Sequence, residues 1–111
     1  MPLALSAVTM NSRDPGRTAA FWAAALAGVA VDGGNGFVHV RSHDLLLIVQ
    51  PAPDRDPTTV TDVHLDLRAD DRAAEVTRLC ALGAVLVEHR SDSHGTWSVL
   101  LDPDGRELCV G

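Results

Sequence analysis

One structural plan occurs twice in these 111 residues. Its first copy opens on Leu3-Ala4-Leu5-Ser6-Ala7-Val8-Thr9-Met10-Asn11-Ser12-Arg13, which predicts a strand over 3–13. Asp14-Pro15 follows, an acidic N-cap with Pro at the first helical position, where a missing N–H costs nothing. The predicted helix runs to about Ala27, with Gly28 as its stop. In the second copy, Val60 to Ala69 alternates like a half-buried strand, Asp70-Asp71 caps a helix, and Gly83 ends it. Ala73, Val76, Cys80 and Gly83, with Leu79 beside them, predict the apolar face of that helix. Superposing Asp14 on Asp71 aligns the two strands without a gap. A repeat of this kind confines the chain to folds made of two copies of one supersecondary unit.

Strand-like segments follow each helix. After the first come Val29 to Val31, a turn at Asp32-Gly33-Gly34-Asn35-Gly36, Phe37 to Arg41, and Leu45 to Gln50. After the second come Ala84 to His89, a polar loop from Arg90 to His94, Thr96 to Leu101, a turn at Asp102-Pro103-Asp104-Gly105, and Arg106 to Val110. Pro51-Ala52-Pro53-Asp54-Arg55-Asp56-Pro57 has the composition of a linker. The plan is βαβββ twice: module one over 1–50, a linker over 51–59, and module two over 60–111, within one domain.

Composition narrows the function classes. A net charge of −6, with nine Arg, no Lys and no basic stripe, argues against nucleic acid as a partner. No apolar run approaches the ~20 residues that span a bilayer, and the N-terminus lacks the basic and apolar regions of a signal peptide. The expectation is a cytoplasmic protein without a membrane partner. Cys80 and Cys109 show no CxxC spacing and read as buried thiols. Gly33-Gly34-Asn35-Gly36 lacks the strand-to-helix setting of a phosphate-binding loop.

The repeat, Asp14-Pro15 leading to Ala20-Phe21-Trp22, Val63-His64-Leu65-Asp66-Leu67 before Asp70-Asp71, Ala81-Leu82-Gly83-Ala84, and the closing Asp102-Pro103-Asp104-Gly105-Arg106-Glu107-Leu108-Cys109 together resemble the vicinal oxygen chelate superfamily, in its small glyoxalase-like and bleomycin-resistance branch. The resemblance covers nearly the whole chain. It implies an α+β fold in which two βαβββ modules form a curled mixed sheet around a central cavity. Metal-dependent members place four ligands there, on the first and last strands of each module. Transferred by spacing, these positions fall on Ala7, Leu47, His64 and Cys109. Ala7 and Leu47 have no donor atom, so this chain departs from the metal-dependent pattern, and no cofactor is expected. Glu107, two residues before Cys109, shares its strand face. It offers an alternative divalent-metal set of His64, Glu107 and Cys109.

Alternation puts His64, Asp66 and Arg68 on one face of their strand, with Val63, Leu65 and Leu67 under the helix. Leu5, Ala7, Thr9 and Asn11 take the matching face of the first strand. Taken with the cavity that the resemblance implies, the expected lining set is Ala7, Thr9, Leu47, His64, Asp66, Trp97, Glu107 and Cys109. Trp97 offers a flat surface to a ligand if it faces inward, which depends on a bulge-free hairpin. Phe21 reads as helix–sheet core, and Trp22 as a partial cover. His64 between carboxylates has the character of a general acid or base, and Glu107 is the second catalytic candidate; the competing reading is a hydrogen-bonded structural set. His89 and His94 read as exposed loop histidines.

Three functional readings follow. The first is a small-molecule binder without a metal, with antibiotic or metabolite sequestration as the role the resemblance implies. The second is an enzyme of the same fold, metal-dependent or an acid/base lyase, isomerase or dioxygenase, using His64 and Glu107. The third is a structural or regulatory dimer. A homodimer is expected in each case, because curled half-sheets leave strand edges to cover.

Overall fold

The computed structural model describes residues 3–59 and 62–111; Met1, Pro2, Val60 and Thr61, including the expected start of module two, lie outside the described residues. In chain order the elements are β1 (Leu3–Ser12), α1 (Pro15–Ala25), β2 (Val29–Gly34), β3 (Phe37–Ser42), β4 (Leu45–Pro51), β5 (Val63–Ala69), α2 (Arg72–Ala81), β6 (Val85–Asp92), β7 (Gly95–Leu101) and β8 (Glu107–Val110). The βαβββ plan thus occurs twice. No helix among the described residues is long and apolar enough to cross a membrane. The chain forms two compact units, one of residues 7–63 and the other of 1–6 with 64–111, so the first residues of β1 belong with the second half.

The two helix starts are built alike. Asp14 accepts a hydrogen bond from the Arg17 N–H at 3.2 Å, and Asp71 one from the Ala74 N–H at 3.1 Å, the same offset in both halves. Each satisfies one of the backbone donors a helix N-terminus leaves open. The helix ends differ. Gly83 takes the left-handed conformation after α2, at φ +117°. After α1 that conformation falls on Ala27, at φ 51°. Gly28 is required there by crowding, since a Cβ would stand 2.5 Å from the Arg41 carbonyl oxygen.

In the 7–63 unit the strands run in the order β2-β3-β4-β1, with β1 parallel to β4 and the other pairs antiparallel. Val40 opposes Leu47, Val38 opposes Val49, and Val8 and Met10 oppose the same two residues from β1. These side chains share one face and pack with Ala19, Trp22, Ala23 and Leu26 of α1. Helix residues at i, i+3, i+4 and i+7 form one stripe. Phe21 is off that stripe and 63% exposed, so the expectation that it fills the core is corrected. Trp22 takes the core position, with Phe21 edge-on against it at 5.3 Å.

In the other unit the order is β5-β8-β7-β6. Leu67, Leu100, Leu108 and Val110 pack with Val76 and Leu79 of α2. Three expectations are corrected here. Cys80 is exposed, because the inner face of α2 runs through Glu75, Val76 and Leu79. Val63 and Leu65 sit on the helix side by alternation but stay about half exposed, at 50% and 47%. The predicted loop from Arg90 to His94 is mostly strand: β6 continues to Asp92 and pairs through Asp92 with Gly95. As a wholly exposed strand, β6 has no alternation by which to recognise it.

Candidate functional site

Strand register brings a polar group together on the face of the 1–6/64–111 unit that points away from α2. Asp66 of β5 lies opposite Cys109 of β8, and Cys109 lies opposite Val99 of β7. His64 joins them by alternation, two residues before Asp66. Ligand-capable atoms of His64, Asp66 and Cys109 all lie within 4.8 Å of one another. Cys109 is buried and the two β5 side chains are about four-fifths covered.

The electrostatics of the group centre on His64. Its Nε2 stands 3.6 Å from Asp66 Oδ1, an ion-pair distance beyond a hydrogen bond. The Asp66 carboxylate, and after it Cys109, hold the proton on the ring, while burial opposes them; the net effect raises the His64 pKa from 6.5 to about 10. At neutral pH His64 is therefore an imidazolium, an electrostatic anchor and hydrogen-bond donor. It has no vacant nitrogen lone pair until that proton leaves.

The other expected site residues fall into place by register. Trp97 is half-buried and, two residues from Val99, shares the face of Cys109; the register between β7 and β8 is regular through Ser98 and Val110. Glu107 shares that face too, but it stands exposed at the start of β8, opposite Leu101, and is not in the three-donor group. Asp66 occupies the position that Glu107 was expected to supply. In the 7–63 unit, Ala7 and Thr9 are buried on the β1 face opposite Val8 and Met10. Leu47 is not on their face. It pairs with Val8 and is packed under α1, because a run of five apolar residues from Leu45 to Val49 carries no parity signal.

A second polar cluster escaped the sequence. Ser98, fully buried on the α2 side of β7, lies 2.7 Å from His89 Nδ1 and accepts from Arg72 at 2.8 Å. It ties the start of α2 to the β6–β7 hairpin. His89, expected in a loop, is part of strand β6.

A four-strand, one-helix βαβββ unit repeated in one α+β chain is the architecture of the glyoxalase/bleomycin resistance/dioxygenase superfamily. A superfamily member from Vibrio splendidus 12B01 superposes with a TM-score of 0.65 at 14% identity, over 97% of this chain and 96% of that one. NAD-dependent benzaldehyde dehydrogenase from Legionella pneumophila superposes with a TM-score of 0.70 at 16% identity, over 93% and 94%. A bleomycin-binding protein complexed with bleomycin aligns at 26% identity over 92% of each chain, with a TM-score of 0.42. No curated protein matches the chain. The glyoxalase-like domain model matches residues 7–111, and the chain belongs to that family.

Proposed function

We propose that this glyoxalase-like protein binds a small organic molecule without a metal, using the His64–Asp66–Cys109 group as its polar anchor and Trp97 as an apolar wall. The observation that carries the reading is the donor set: His64, Asp66 and Cys109 stand together, while Ala7, at a position the family resemblance gives to a ligand, has no donor atom and Leu47, at the other, is packed into the core beneath α1. The proton that Asp66 and Cys109 favour on the His64 ring suits an anchor for hydrogen-bond acceptors. A cation on one strand face that also carries Val99, opposite Cys109, and the half-buried Trp97 two residues away along β7 suits an elongated molecule with hydrogen-bond acceptors at one end and a flat apolar body at the other. Sequestration of an antibiotic or metabolite is the role this site serves. Calorimetric titration of such molecules against the protein and its His64→Gln variant tests it; equal affinity for both would refute the assigned anchor.

The spacing of the three donors favours a second reading, an enzyme in which His64, Asp66 and Cys109 hold a divalent ion. Three protein donors match the number usual at a catalytic metal site, where the ion would act as a Lewis acid on a bound substrate. Binding would first have to remove the His64 proton. The protein works as a homodimer in the reading preferred here. Within their own units β2 pairs only with β3 and β6 only with β7; both also expose apolar side chains, with Val29 64% and Val85 59% accessible, and a second copy covers such strands.

A further inference from the structure

Nine arginines are spread along the sequence, yet Arg13, Arg17 and Arg55 converge on one surface cleft of about 490 Å³ in the 7–63 unit. The cleft's own carboxylates are engaged. Asp62 forms an ion pair with Arg55, which also donates to the Thr59 carbonyl oxygen at 2.8 Å. Asp14 caps α1 by accepting from the Arg17 N–H. The guanidinium groups of Arg13 and Arg17 make no hydrogen bond or contact ion pair among the described residues. Two cationic forks thus remain available in a chain whose net charge is −6.

The remaining wall is apolar. Trp22, Met10 and Val63 line the cleft, and Trp22 is held in place by the core beneath it and by Phe21, whose ring meets it at 86°. A guanidinium matches a carboxylate or phosphate with two parallel hydrogen bonds, which a lysine ammonium does not. A fixed indole offers a flat apolar surface at small entropic cost. The volume lies within the ~300–1,000 Å³ usual for small-molecule sites. We propose that this cleft binds a small organic acid, an oxyanion (carboxylate or phosphate ester) on a flat apolar body, with Arg13 and Arg17 on the oxyanion and Trp22 against the body. None of these residues belongs to the His64 group, so this site stands or falls independently of the function proposed above.

The test is an NMR titration of the full chain with benzoate, phenyl phosphate, inorganic phosphate and neutral benzyl alcohol, following the arginine Nε–H and tryptophan indole N–H signals. Saturable shifts of Arg13, Arg17 and Trp22 with benzoate or phenyl phosphate are expected, with Kd of about 1 mM or tighter. The Arg13→Gln/Arg17→Gln variant should bind about tenfold more weakly, and as both side chains lie on the surface it should fold. Whichever of benzoate and phenyl phosphate binds more tightly identifies the oxyanion. Four results would overturn the proposal: no saturation at about 10 mM, equal binding of benzyl alcohol, equal binding of inorganic phosphate, or shifts at Trp97 in place of Trp22.

Discussion

Replacing Asp66 by Asn leaves the shape of the β5 side chain almost unchanged and removes the charge that faces His64 Nε2 at 3.6 Å. In the folded protein His64 titrates at about 10, against 6.5 in the unfolded chain, with Asp66 the largest cause and Cys109 the next. A group whose folded pKa is raised contributes its full stability below the unfolded value and loses it as pH rises through the folded value. The window here runs from about pH 6.5 to about pH 10. A difference of that size corresponds to ~5 kcal/mol at most; the length of the contact and its partial hydration reduce the share felt in folding to ~1–2 kcal/mol. The wild type should therefore lose about that much stability in urea between pH 6 and pH 10, and Asp66→Asn much less. Proton NMR of the His64 ring gives the pKa directly, with a move toward 6.5 expected in the variant. A wild-type His64 that titrates near 6.5 would refute the reasoning.

Four further outcomes can be checked by denaturant melts and light scattering. Gly28→Ala should cost about 1–3 kcal/mol, since the new Cβ meets the Arg41 carbonyl oxygen, backbone that cannot swing aside. Ala27→Gly should gain about 0.5–1 kcal/mol by relieving a left-handed alanine, net of glycine's larger entropy loss; a loss would show that φ 51° carries no strain here. Ser98→Ala should cost about 1–3 kcal/mol, because Arg72 loses its buried acceptor and His89 a partner. Light scattering should return twice 11.7 kDa at micromolar concentration, and the monomer mass would exclude the homodimer.

The repeat and its caps were legible because they depend on local chemistry: an aspartate that accepts from the N–H three residues on reads the same way at Asp14 and Asp71. Faces were harder. In α1 the alanines on every side conceal the stripe, although Ala19, Trp22, Ala23 and Leu26 have its spacing. In α2 the inner face is masked by Glu75, a buried carboxylate tied to Arg78 at 2.8 Å. At the candidate site, alternation gave His64, Asp66, Glu107 and Cys109 one common direction, but only the offset between β5 and β8 brings Asp66 opposite Cys109. That offset depends on pairing between strands distant in sequence, which no local pattern encodes.

Whether the His64 group holds a proton or a metal decides between the two functions, and thermal unfolding with divalent ions measures it directly. An ion at about one hundred times its Kd stabilises by ~2.7 kcal/mol, several degrees for a domain of this size. The account predicts a shift below about one degree with Zn²⁺, Ni²⁺, Co²⁺ or Mn²⁺ at roughly 100 µM, unchanged by a chelator. A rise of several degrees that disappears in both His64→Ala and Asp66→Asn would contradict it and assign the site to a metal.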